Sequence, residues 1–117
     1  MAKNTVIMWT KSRAETCSHP AVPASGDPVR TGQRPGVALT NEDANGQTTC
    51  AENGVFSLSV KGVDGSGNVA VADGDILYYV DADTPVLSKK ATGVRFGYAR
   101  GAVTSGGTAT IPVEVGY

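Results

Sequence analysis

SGDPVRTGQRPGVAL, residues 25–39, carries three glycines, two prolines and two arginines ahead of a short apolar run, and its reading decides the fold. One reading is a glycine-rich loop that cradles an anion; the other is strand, turn, strand. A phosphate loop requires closely spaced glycines after a strand, a Lys-Ser/Thr pair, and a helix whose N-terminal N–H groups face the anion. Here Gly26 and Gly36 are separated by nine residues, no Lys-Ser/Thr follows, and the chain continues into the strand-like Val37-Ala38-Leu39-Thr40. Turn chemistry fits better. Glycine takes positive φ without steric cost, and an Asp side chain accepts from nearby backbone N–H groups. Gly26 and Asp27 therefore open a strand, Arg30–Pro35 form an exposed loop, and Gly36 returns the chain to the core at Val37.

The same punctuation recurs along the 117 residues. Gly54–Val60, Ile76–Val80, Gly93–Tyr98 and Thr108–Val115 are short runs rich in Val, Ile, Thr, Phe and Tyr, bounded by Gly, Asn, Asp, Ser or Pro. Val55–Val60 and Ala109–Val115 alternate apolar and polar, as strands with one face on a core do. No window sustains a 3.6-residue apolar period, and NEDANG near Asn41–Gln47 reads as a loop. The fold class is all-β. A weak internal echo supports two similar units, 25–60 and 73–115: SGDPV recurs as DGDIL, GVALT as GVRFGYA, and TTCAENGVFSLSV as TSGGTATIPVEV. Paired, the two units would close a small barrel or sandwich and shorten its open edges. Gly26-Asp27 and Gly74-Asp75 would then occupy matching turns, with Gly36 and Gly93 at matching strand starts.

Residues 1–24 differ. KSRAETCSHPAVPA carries two prolines and no periodicity, so the segment reads as an extended arm ahead of one domain, 25–117. Within it, Thr5, Val6, Ile7, Met8, Trp9 and Thr10 form a strand-like piece that places Ile7 and Trp9 on one face, in need of a surface to cover them.

A net charge of −1 offers no basic excess for a phosphate backbone, so nucleic acid is not an expected partner. No apolar run reaches the roughly 18 residues of a membrane span, and the N-terminus has no signal-peptide h-region, so synthesis and residence in a cytoplasm are expected. Cys17 and Cys50 have no metal or redox spacing and read as two thiols; a disulfide between them would need oxidising conditions met later. No metal or cofactor is expected. Asp73, Asp75, Asp81 and Asp83 stand at the two ends of an apolar strand, about 20 Å apart at ~3.3 Å per residue, which suits solvated strand ends better than a calcium loop. His19, the one histidine, has Cys17 and Ser18 beside it, but neighbours on extended backbone point to opposite faces, and no orienting acid is evident. Lys89, Lys90, Arg95 and Arg100 read as solvated charges, while Arg30 and Arg34 are candidate loop contacts to a partner.

From SGDPV onward the chain resembles the head-decoration, or capsid cement, proteins of tailed phages, a family formerly treated as a phage domain of unknown function. The resemblance rests on MAKNT at the start, SGDPV, GVALT, NGVFSLSV (53–60), DGDILYYVD (73–81) and ATGVRFGYARGAVTSGGTATIPVEV (91–115). The segment from Val6 to Ala24 is the part least like the family. The resemblance implies a β-clip or tulip-like barrel or sandwich with an extended N-terminal arm and no catalytic role. It implies binding to the major capsid protein on the outside of the virion head, as a homotrimer at three-fold or local three-fold positions. The chain would clamp neighbouring capsid subunits there against internal DNA pressure. Two other classes are weighed beside it: a tail, baseplate or fibre-associated β domain, present in few copies per virion, and a small enzyme or ligand-binding barrel, which would need a buried polar pocket with a shifted acid.

Overall fold

The computed structural model describes residues 12–116, and these hold eleven strands and no helix. β1 (Ser12–Glu15), β2 (Pro28–Thr31), β3 (Arg34–Ala38) and β4 (Thr48–Ala51) form an antiparallel sheet in the order β1-β4-β3-β2. β5 (Gly54–Lys61), β8 (Ile76–Tyr79), β9 (Leu87–Ser88), β10 (Val94–Ala99) and β11 (Thr108–Val115) close a five-stranded barrel in the order β10-β11-β5-β9-β8. A small hairpin, β6 (Val63–Asp64) with β7 (Gly67–Asn68), follows β5 in the chain. The fold is all-β, built round a small closed barrel. Closure removes the open edges that a free sheet would expose.

Period-two patterning sets the barrel interior. β5 sends Leu58 and Val60 inward and Ser57 and Ser59 outward; β11 sends Ile111, Val113 and Val115 inward. The two strands pair along their full length, so Ile111 faces Leu58 and Val113 faces Phe56. Leu77 and Tyr79 of β8, Leu87 of β9 and Phe96 of β10 join the same core. Phe96 occupies a bulge: Arg95 pairs with Tyr78 and Gly97 with Leu77, leaving Phe96 as the extra residue, fully buried. Gly97 lets β10 approach β11 there, because a Cβ at this position would overlap the Glu114 carbonyl.

The four-stranded sheet packs on the barrel through β3, whose Val37 joins the barrel core. It has a second small core of its own, Val29, Ala38 and Cys50, with Cys17 packed against it. Pro35 is tolerated inside this sheet for a definable reason. Its partner Arg30 directs its backbone N–H and C=O to His19 and Ser18, away from β3, so the Arg30–Pro35 pair is of the non-hydrogen-bonded kind. The β3–β4 ladder covers Val37 and Ala38, so no β4 residue awaits a proton from Pro35.

Candidate functional site

Turns come first, because they aim the strands. Ala24-Ser25-Gly26-Asp27 and Ala72-Asp73-Gly74-Asp75 have the same geometry. In each, the Asp N–H donates to the Ala carbonyl (3.0 and 3.1 Å) and the Ala N–H donates to the Asp carboxylate (3.0 and 2.8 Å). In each, the Gly N–H donates to an alanine carbonyl on the returning strand, Ala38 or Ala99 (2.7 and 2.8 Å), and that alanine N–H donates back to the Asp carbonyl (2.9 and 2.8 Å). Both glycines have positive φ, 92° and 94°, the third-position requirement of a type II turn. Gly36 lies buried in β3 beside the Ala51 carbonyl, and Gly93 precedes β10 where a Cβ would crowd the Tyr79 carbonyl.

The span expected as an exposed loop, Arg30–Pro35, is the closed end of a hairpin. Thr31 pairs with Arg34, so Gly32 and Gln33 alone make the turn and both arginines lie in strands. Arg30 is half-buried and grips Asp81 of the barrel with two parallel bonds, Nε to Oδ1 at 2.8 Å and Nη2 to Oδ2 at 2.5 Å. That fork holds the Asp81 carboxyl below its ordinary value, mainly through the hydrogen bonds from Arg30. Arg34 is more exposed and lies 3.3 Å from Glu52, at the mouth of an open groove of about 520 Å³ walled also by Pro35, Tyr98 and Glu114.

The acids and lysines expected as solvated charges lie exposed or partly exposed at the surface, and the fold brings several of opposite sign together there. Lys89 pairs with Asp75 at 3.0 Å, Lys90 with Asp83 at 2.7 Å and Arg100 with Glu114 at 3.0 Å. The Ala72 N–H and then Lys89 hold the Asp75 carboxyl below its usual value. Arg95 donates to Tyr98 Oη at 2.6 Å. Among the described residues no three His, Cys, Asp or Glu side chains gather as a metal would require, and no helix is long and apolar enough to cross a membrane.

A clasp between the two sheets emerges that the sequence does not announce. β1 is one edge of the four-stranded sheet; a few residues later His19 bridges to Arg30 on β2, the opposite edge. The Ser18 N–H donates to the Arg30 carbonyl at 2.8 Å, the Arg30 N–H donates to the His19 carbonyl at 3.0 Å, and Ser18 Oγ accepts from the Gly32 N–H at 2.9 Å. His19 Nδ1 then lies 2.6 Å from Tyr79 Oη, which is also 3.4 Å from the Pro28 carbonyl. The His19 ring meets the Tyr79 ring edge-on, and Tyr79 stacks on Phe96 in the barrel core. Burial pushes the Tyr79 phenol far above its ordinary value, with Asp81 adding to the effect, so it remains a neutral hydroxyl. His19, Tyr79, Arg30 and Asp81 thus tie the segment leading from β1 to both sheets. Tyr79 and Asp81 lie about sixty and fifty residues from their partners, and no local pattern reports such pairs.

Among the described residues, the large apolar side chains left outside are Val22, 73% exposed, with Leu39 and Val55. The Thr5–Thr10 piece lies outside the described residues.

A family model for phage cement proteins matches residues 11–115. The chain belongs to the phage cement protein family. Comparison with curated proteins and with solved structures gave no match. Membership assigns this cement protein a structural, capsid-associated role in a phage. Every part of the clasp falls inside the matched span.

Proposed function

We propose that this cement protein decorates the outer surface of a phage head, after synthesis in the host cytoplasm. There it clamps neighbouring major capsid proteins as a homotrimer at three-fold or local three-fold positions. It acts without catalysis and without a cofactor. The observation that carries this reading is the clasp at His19–Tyr79 and Arg30–Asp81. β1 is an edge strand, and the chain that follows it is bonded to both sheets, so tension on the residues before Ser12 is delivered to the barrel and not to a loose loop. A clamp needs this: an arm that engages one subunit, a rigid body that sits on another, and a stiff joint between them.

The engaging element is Thr5–Thr10. A short apolar, strand-like segment of this kind adds to an exposed sheet edge, with main-chain bonds giving affinity and Ile7 and Trp9, on one face, filling pockets. Repetition over the head lets each contact be modest. Arg34 and the exposed Val22 are secondary contacts. The test is binding of a chain lacking residues 2–11 to heads that carry no cement protein. The shortened chain keeps the thermal transition of the full chain and fails to bind; binding equal to the full chain refutes the arm. Cryo-EM of decorated heads then reads position and stoichiometry, and density confined to the tail would favour the tail-domain alternative.

A further inference from the structure

We propose that Cys17 and Cys50 are a site of reversible disulfide formation that locks the root of the arm to the four-stranded sheet. The two sulfurs, 33 residues apart in sequence, stand 3.6 Å apart as thiols. A disulfide needs about 2.05 Å, so closure asks for roughly 1.5 Å, within reach of a small side-chain rotation at the less buried partner. Their surroundings differ in a useful way. Cys50, in β4, is buried with Val29 and Ala38, its sulfur 3.5 Å from the Thr48 carbonyl; Cys17 lies over that small core from outside and is partly exposed. One thiol is therefore reachable by a small reagent, and the other is placed to resolve the adduct.

The oxidant is a low-molecular-weight disulfide, RSSR. The Cys17 thiolate attacks one of its sulfurs, the S–S bond of RSSR breaks, the other half leaves as RS⁻, and Cys17–S–S–R forms. The Cys50 thiolate then attacks the Cys17 sulfur and expels the second RS⁻. Two cysteine S–H groups are oxidised, one RSSR is reduced, and the two protons appear on two RSH. The product joins Cys17, two residues before the His19 bridge, to β4, so the clasp gains a covalent tie parallel to its hydrogen bonds. Thiols in a reducing cytoplasm and a disulfide in the released particle is the sequence of states this serves, a timing that rests on the capsid reading.

The experiment uses the purified full chain, reduced, freed of reductant and incubated with oxidised glutathione. The intact mass falls by two hydrogen atoms, and digestion yields the Cys17 and Cys50 peptides joined. The Tm rises by about 15 °C, as closing a loop of this length in a chain of this size implies, and added reductant reverses it. Cys17→Ser, a change at the partly exposed partner, melts with the reduced protein and shows no rise. A lasting glutathione adduct on Cys17 beside a Cys50 thiol, a bond between two chains, or an unchanged Tm would each overturn the proposal. All these readouts come from the isolated chain, so they succeed or fail independently of where the protein sits on the phage.

Discussion

Removing one oxygen from the clasp gives the sharpest test of how the two sheets are held. Tyr79→Phe keeps the ring, which is 2% exposed and stacked on Phe96 with centroids 6.2 Å apart, so burial and packing are unchanged. What disappears is the hydroxyl bonded to His19 Nδ1 at 2.6 Å and its longer contact to the Pro28 carbonyl. A net hydrogen bond contributes about 0.5–1.5 kcal/mol, and stranding a fully buried partner adds about 1–3 kcal/mol. His19 is only half-buried, so water replaces part of the loss, and the cost settles near 1 kcal/mol. For a chain of this size that is a Tm lower by about 4–5 °C with an unchanged denaturant slope. The assay is urea unfolding of Tyr79→Phe, His19→Ala and the double variant. The coupling energy isolates the contact and should be about 0.5–1 kcal/mol. Amide exchange at Ser18 and His19 should quicken while Leu58 and Val113 in the barrel keep their protection. A coupling energy indistinguishable from zero, or unchanged exchange at Ser18 and His19, would refute the idea that this pair fastens the arm root.

Three further outcomes follow from the geometry. Gly26→Ala and Gly74→Ala should each cost about 1–2 kcal/mol in urea unfolding, and by similar amounts, since both glycines hold nearly the same positive φ in turns of the same bonding. Gly97→Ala should cost about 3 kcal/mol or leave the chain unfolded by circular dichroism, because the added methyl overlaps the Glu114 carbonyl where β10 crosses β11. The Asp75 and Asp81 carboxyls have folded values below the ordinary 3.8, so the stability they contribute is present above that pH and is lost as pH falls through the lowered folded values. Asp81→Asn should therefore flatten the acid side of the stability–pH curve, by under about 1 kcal/mol because water reaches both partners of the pair.

Local physics was readable along the chain. Side chains alternate on a strand whatever it pairs with, so the inward set Leu58 and Val60, and Ile111, Val113 and Val115, was legible before any pairing was known. Gly26-Asp27 and Gly74-Asp75 were legible as turns because their bonds close within four residues. The hairpin tip is shorter than the loop expected: Pro35 argues against a strand unless its missing N–H faces no acceptor, and the β3–β4 register that leaves it none is set outside the hairpin. The pairing of Lys89 with Asp75 and of Lys90 with Asp83 was not legible, because opposite signs meet only after folding.

By itself, then, the sequence determined an all-β chain, its inward faces and its tight turns, since each follows from dihedral preference and period over a few residues. Tertiary structure alone decided that β5 and β9 run parallel to close the barrel, that Phe96 sits in a bulge, and that Cys17 meets Cys50. It alone joined His19 to Tyr79 and Arg30 to Asp81. Those contacts span tens of residues, and their energies are realised only when both sheets are in place.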